Sequence, residues 1–340
     1  MKAALIGYGM VAETHVRAIF DSNFVALAGV LGRDPDRART FLRGVGGDGA
    51  VYSDLAELCA DSAIDFAIVA TPPNARMMII KDLFRADIPV LMEKPIERTL
   101  QSAKAIADLA EKQGVQAGVV FQHRARGSSR ALKQAILEGN LGRLVAAEIR
   151  VPWWRDQSYY DAPGRGTYAR DGGGVMINQA IHTLDLAIWL MGPVRSVSAL
   201  LTTTELHDME GEDWAGGMLQ FASGAVSTLT ATTSFFPGGA ESIRLQGTKA
   251  HALLEDGVLT VSYLDGRVDV VGKNSKGSGG GADPMAFTHV WHQRVIEDFA
   301  QSVQTGRHPI CTAREGLHAH AVINAMEKSS KNHQTVHLIE

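Results

Sequence analysis

The stretch Ala3-Ala4-Leu5-Ile6-Gly7-Tyr8-Gly9-Met10-Val11-Ala12, at the start of a chain of 340 residues, decides the fold. A compact apolar run ends in glycine, and a GxGxxA pattern leads at once into helix-forming sequence. The first glycine permits a tight turn and the second lets backbone approach a pyrophosphate. The small Ala12 lets the helix lie close on the strand. Amides at such a helix start carry partial positive charge and suit phosphate. Glycine turns between a strand and a helix are common, so it is the strand–turn–helix context that gives the pattern meaning. It points to a dinucleotide, with Gly7, Gly9, Met10 and Val11 as contacts.

Four further strand-like runs follow: FVALAGVLG, IDFAIVATPP, IPVLMEKP and VQAGVVFQHR. Helical patterns lie between them, as from Leu100 to Gln113, where Ala103, Ile106, Ala107 and Ala110 share one face. Continuous apolar strands separated by helices imply a parallel sheet covered on both sides, a doubly wound Rossmann domain over residues 1–121. After Phe121 the character changes. LVAAEIRV reads as a strand, Gly172 to Leu190 as a glycine-led helix, and Val194 to Val271 as short strands rich in Val, Thr, Leu and Ser. The expectation for 122–340 is an α/β domain with a large, mostly antiparallel open sheet, whose C-terminal segment packs back on the first domain. KNSKGSGGGADP reads as a mobile loop, and a helix runs from about His289 to Thr305, stopping near Gly306.

Three local patterns carry chemistry. An acid about 20 residues past the glycines would bond the ribose of NAD, but here stands Gly32-Arg33-Asp34-Pro35. Asp34 before Pro35 reads as a helix N-cap, which leaves Gly32 and Arg33 at the ribose. Arginine suits a 2′-phosphate, so the reading leans to NADP over NAD. Glu93-Lys94-Pro95 ends a strand at the carboxyl edge, where ligands of doubly wound sheets bind, and Glu93 is placed to pair with or orient Lys94. In DGGGVMINQAIHTLDLAIWLMG, Asn178 and His182 stand four apart on one helix face, with Asp185 three beyond. His182 suits acid–base work at neutral pH, although a lone helical histidine is more often structural.

Composition sets limits. Hydrophobic residues make up 45% and charged residues 21%, with a formal net charge of −4, so there is no basic footprint for nucleic acid or membrane. No apolar run approaches the ~18–20 residues of a membrane span, and the start reads without a signal peptide. Two cysteines, Cys59 and Cys311, offer no disulfide framework, which leads us to expect a reducing, cytoplasmic setting. His289, His292, His318 and His320 lack a supporting ligand set, so no metal is expected.

GYGMVA, VATPPNA, MEKP, GGGVMINQAIHTLDLAIWL and GRHPICTAREGLHAHAVINAMEKSS, taken in this order, resemble the glucose–fructose oxidoreductase / inositol dehydrogenase (Gfo/Idh/MocA) family across nearly the whole chain. The resemblance implies an NAD(P)-dependent oxidoreductase acting on CH–OH groups of a sugar, cyclitol, sugar acid or nucleotide-sugar. Thr71, Pro72, Asn74, Glu93 and Lys94 would join the cofactor contacts. Lys94 would bond the reacting oxygen and His182 would move its proton. Position 178 is commonly Asp in the family, with Asn178 resembling branches of nucleotide-sugar uronate dehydrogenases; an amide can hold a hydroxyl but relays no proton. In WWRDQSYYDAPGRGTYARDGGG the substrate candidates are Tyr159, Tyr160, Arg165 and Tyr168, together with Arg124, Asn178 and His182, while Trp153 and Trp154 read as packing. The family's open sheet implies a homodimer or homotetramer; the alternating Thr228, Thr230 and Thr232 read either as a face covered by a partner subunit or as a solvated face. Two other readings stay open: a redox-neutral glycosidase or lyase of the same fold, and a non-catalytic dinucleotide sensor.

Overall fold

The computed structural model describes residues 1–272 and 288–338, so the expected KNSKGSGGGADP loop lies outside the described residues. Two compact units emerge from the backbone contacts. One holds Met1–Gln122 with Thr288–Leu317, and the other holds the described residues 123–272 and 318–338.

In the first unit the elements run β1 (Lys2–Ile6), α1 (Ala12–Phe20), β2 (Ala26–Leu31), α2 (Pro35–Gly44), β3 (Ala50–Tyr52), α3 (Leu55–Ala60), β4 (Phe66–Val69), α4 (Arg76–Arg85), β5 (Val90–Met92), α5 (Leu100–Gln113) and β6 (Ala117–Val119). The six strands pair in parallel in the order β3-β2-β1-β4-β5-β6. The order reverses direction beside β1, and such a switch point is where ligands of open α/β sheets bind. All four residues of β4 are buried, as expected of a central parallel strand. Thr99 caps α5 by accepting the Ser102 amide, Gly114 ends it in the left-handed region, and Ala103, Ile106, Ala107 and Ala110 form its buried face. One strand, β3, was not foreseen. Its three residues carry no readable period, and it exists through its pairing with Gly29–Leu31.

The second unit begins with α6 (Gly127–Leu137), β7 (Leu144–Pro152), α7 (Gln157–Tyr160) and α8 (Ile181–Met191). Seven strands follow: β8 (Val194–Thr202), β9 (Trp214–Phe221), β10 (Val226–Thr232), β11 (Ser242–Gly247), β12 (Ala250–Glu255), β13 (Val258–Tyr263) and β14 (Val268–Val271). Then come α9 (Val290–Thr305), which belongs to the first unit, α10 (Ala313–Asn332), and β15 (Val336–His337). The sheet order is β14-β13-β12-β11-β7-β10-β9-β8-β15, antiparallel throughout except for the β7–β10 pair. Along β10 the alternation is plain: Ser227, Leu229 and Ala231 are buried while Thr228 and Thr230 are exposed. Thr232 departs from that row, being buried with its hydroxyl on Ser234 Oγ at 2.7 Å.

Candidate active site

The glycine turn forms as its sequence dictates. Gly7 adopts φ +98°, and a Cβ there would press on the Ala70–Thr71 backbone at 3.1 Å, so the turn needs glycine. Gly9 has open space where a side chain would stand. A cavity of about 730 Å³ opens over this turn, lined among others by Gly7, Gly9, Gly32, Arg33, Thr71 and Pro72. Of the other cofactor candidates, Met10 and Val11 lie between the turn and α1, Met10 being 54% exposed. Asn74 is exposed in a 3-10 turn at Pro73–Ala75. The residues present fit a dinucleotide on one independent observation. The Thr71 hydroxyl is buried beside the cavity with no hydrogen-bond partner, a donor that a ligand oxygen would satisfy.

At the end of β2, Asp34 accepts the amides of Asp36 and Arg37 through one carboxylate oxygen, at 3.0 and 3.1 Å, and Pro35 opens α2. Asp54, on the same cavity, likewise accepts the Glu57 amide through one oxygen at 2.9 Å. Two residues not singled out by sequence stand here. The Tyr8 ring lies over Gly32, where any Cβ would collide with it, and the Arg37 guanidinium sits 5.9 Å from the ring centre. Arg33 and Arg37 are both exposed on the cavity wall.

Lys94 is half-buried at the carboxyl end of β5, at a cis peptide with Pro95. Glu93 departs from its expected place as a cofactor contact. It is 6% exposed and does not line the cavity; its carboxylate accepts from His15 Nε2 at 2.8 Å and from the Lys94 backbone N–H at 3.1 Å. The orienting link to Lys94 therefore runs through backbone. Arg76, which sequence reading missed, is 2% exposed and donates to the carbonyls of Thr71, Glu93 and Pro95. One guanidinium thus ties together the loops that follow β4 and β5. Burial lowers its pKa to about 10, against the raising influence of Glu93 and Glu97.

In the second unit, the helix carrying His182 starts with a π turn over Met176–Ala180 before α8. Such turns recur at functional sites, and this one was read as ordinary α-helix from sequence. Its cause is tertiary. Glu212 accepts the amides of Met176 at 2.9 Å and Gly174 at 3.1 Å, and its backbone lies so close that a Cβ on Gly174 would collide with it. Asn178 Nδ2 donates to the carbonyls of Gly173 and Gly174 at 2.7 and 3.0 Å. His182, 6% exposed, stacks on His123 with ring centres 5.0 Å apart and 27° between planes. Arg126 donates to His123 Nε2 at 2.6 Å; that nitrogen accepts, so the His123 ring is neutral.

The substrate candidates divide. The Tyr159 ring is flanked by the guanidinium of Arg165 at 4.8 Å and of Arg155 at 5.6 Å, and Gln179 Nε2 donates to its hydroxyl at 3.5 Å. Tyr159 and Arg165 therefore belong to one cluster with the π turn, and Tyr168 is 45% exposed nearby, its ring within 3.4 Å of where a Gly173 side chain would stand. Tyr160 is instead a packing residue, 7% exposed, edge-on to His207 and bonded to Thr233 at 2.6 Å. Arg124 is corrected outright. Its Nε and Nη2 donate to the two oxygens of Asp185 at 2.8 and 2.7 Å, with both side chains buried. That pair also engages Asp185, which had been read as a neighbour for His182. No helix among the described residues is long and apolar enough to cross a membrane.

Comparison with known proteins agrees with this geometry. Residues 1–121 match the oxidoreductase family with an NAD-binding Rossmann fold, and residues 129–253 match the GFO/IDH/MocA C-terminal domain. The D-apiose dehydrogenase of Rhizobium rhizogenes is 25% identical, with 99% of this chain and 97% of that protein covered. The myo-inositol 2-dehydrogenase of Thermotoga maritima is 24% identical over 100% of this chain and 99% of its own. The WlbA dehydrogenase of Bordetella pertussis, solved with NADH and UDP-GlcNAcA, is 26% identical and superposes with a TM-score of 0.82 over 99% of this chain and 98% of that one. With both halves matched and the glycine turn, the β5 lysine and the π-turn helix in place, the chain belongs to the GFO/IDH/MocA family of NAD-binding oxidoreductases.

Proposed function

We propose that this chain is a dehydrogenase moving hydride between a nicotinamide and a secondary carbinol, or its ketone, on a sugar, cyclitol, sugar acid or nucleotide-linked sugar. The observation that carries the reading is the cavity over Gly7 and Gly9 with its unsatisfied Thr71 hydroxyl, in the unit that also presents Lys94 at its carboxyl edge. The D-apiose, myo-inositol and UDP-GlcNAcA in the relatives' names support the substrate class. A bound nicotinamide would supply the hydride acceptor, or the donor in the reverse direction. Lys94 holds the reacting oxygen and stabilises charge developing on it, and His182 takes its proton. Asn178 shapes the π-turn entry and relays no proton. The Tyr159–Arg165 cluster, with Tyr168, offers ring faces and a guanidinium to hydroxyl or carboxylate oxygens.

NADP is the preferred cofactor in this reading. Both aspartates on the cavity commit one carboxylate oxygen to helix amides, and two guanidinium groups, Arg33 and Arg37, line the wall where a 2′-phosphate would lie. The exposed row of Thr228 and Thr230, with Met218 at 64% and Leu200 at 53%, supports a homodimer or homotetramer through the second unit's sheet. A cytoplasmic location fits two thiols and no disulfide among the described residues.

The test is absorbance at about 340 nm across cyclitols, sugars and sugar acids, with NADP and NAD in parallel. A saturable signal lost in Lys94→Ala and in His182→Ala supports the assignment. Near wild-type turnover in either folded variant sinks it, and product release without net absorbance change would identify redox-neutral chemistry instead. Arg33→Ala with Arg37→Ala should raise the KM for NADP while leaving that for NAD little changed.

A further inference from the structure

Glu93 is a buried charge to which the reaction above gives no task. Three elements meet on it: α1 supplies His15, the end of β5 supplies Glu93, and α9 supplies His292. Glu93 Oε1 accepts from His15 Nε2 at 2.8 Å, with His292 Nε2 at 3.7 Å, while Oε2 accepts the Lys94 backbone N–H at 3.1 Å. The two imidazoles meet edge to face at 5.1 Å, and none of the three side chains exceeds 7% exposure.

Proton positions follow from these partners. An ionised carboxylate only accepts, so His15 Nε2 carries the hydrogen. His15 Nδ1 is buried with no hydrogen-bond partner, so it is the bare nitrogen, since a proton there would be desolvated without an acceptor. The three groups lie within 4.8 Å of one another, a spacing that would suit a metal ion. A metal on His15 Nε2 would force the proton onto Nδ1, where metal-bound histidines normally find an acceptor and this one has none. Hydrogen bonding is therefore the better account. Burial lowers the His292 pKa, against the raising influence of Glu93. Burial pushes the Glu93 carboxyl up, but hydrogen bonds from His15 and His292 hold it well below the usual carboxylate range. One negative charge is thus fixed beside the two rings, with the Lys94 backbone N–H on its second oxygen and the Lys94 charge near enough to act on His292. The other charged groups around it are Arg76 on α4 and Glu97, which pairs with Arg98 at 3.3 Å.

We propose that His15 and His292 are positioning residues for Lys94: they hold the Glu93 carboxylate in place, and that carboxylate grips the Lys94 backbone and acts by its charge on the Lys94 ammonium. This rests on the role given to Lys94 above. The test reads Lys94 directly, through the pH dependence of its acylation by an amine-reactive ester, followed by peptide mass spectrometry on the full chain, beside kcat and KM. Loss of a neighbouring opposite charge lowers an ammonium pKa by about one unit or more. Glu93→Gln and His15→Leu should each raise Lys94 labelling at about pH 8 roughly tenfold and lower kcat more than KM. His15→Gln keeps an N–H donor and should restore both towards wild type. His289→Gln loses only the pair with Asp21 at 2.6 Å, controls for loosening of α9, and should leave labelling unchanged. An unaltered labelling profile in Glu93→Gln, which keeps the shape of the side chain if His15→Leu fails to fold, overturns the proposal. Full turnover in Lys94→Ala would instead overturn the role of Lys94, a result independent of the labelling.

Discussion

Replacing Arg124 by methionine separates two accounts of that residue. If its guanidinium served a substrate, Arg124→Met would raise KM and leave folding alone. The structure gives it another task. Nε and Nη2 bind both oxygens of Asp185 at 2.8 and 2.7 Å, the side chains are 3% and 1% exposed, and Trp189 lies 5.9 Å from the guanidinium carbon. An exposed pair of this kind contributes ~0–1 kcal/mol. Breaking a buried one leaves an uncompensated charge and costs about 3–5 kcal/mol. Arg124→Met and Asp185→Leu should therefore each destabilise by roughly that amount, whereas the double variant leaves no buried charge and should cost much less than the sum. A coupling of ~3 kcal/mol or more is expected, against at most about 0.5 for independent sites. Urea unfolding followed by tryptophan emission would measure it, since Trp153, Trp154, Trp189 and Trp214 report on the second unit. Unchanged midpoints in the singles, or singles that simply add, would refute the argument.

Asn178→Asp, which installs the family's commoner residue, should lower stability by about 1–3 kcal/mol, because a carboxylate would face the Gly173 and Gly174 carbonyls that now accept from the amide; a denaturation midpoint unmoved at neutral pH would contradict this. Gly174→Ala should disrupt the π turn and abolish turnover, since its methyl would collide with the Glu212 backbone; a crystal structure with that turn intact would show the argument wrong. Glu327 is pushed up from 4.5 to about 7, by burial first and by the charge of Glu212 second. The folded protein then holds this proton more tightly than the unfolded chain, so the contribution of Glu327 to stability is fully present below about pH 4.5 and is lost as pH rises towards 7, by up to ~3 kcal/mol. Glu327→Gln should remove that fall, and an unchanged slope in urea midpoints between those pH values would count against it.

The doubly wound unit was legible because its signals are local. Apolar runs, the glycine turn and the Asp34-Pro35 cap each act within a few residues, and the cap forms as its sequence implies. What escaped depends on distant partners. The strand β3 is three residues long and exists only against β2. The π turn is set by a carboxylate 36 residues beyond Met176, and Glu93 is held by a histidine 78 residues before it. No period or composition connects such pairs.

Arg124 shows why the candidate site was only half legible. An arginine just past a strand at the carboxyl edge of a sheet reads equally well as a ligand contact or as half of a buried pair, and the deciding residue, Asp185, lies 61 positions away. Once paired, the short turn at Gln122–Ala125 acquires a structural meaning that its sequence does not display. It grips α8 through Arg124–Asp185 and places the neutral His123 ring against His182, three residues before that aspartate. The motif containing His182 thus supplies the proposed proton acceptor, while residues outside the motif fix the plane of its ring. If ring orientation matters to proton transfer, His123→Leu should depress kcat more than KM even where Arg124–Asp185 keeps the helix in place. A variant with wild-type kcat would show that the stacking is packing alone.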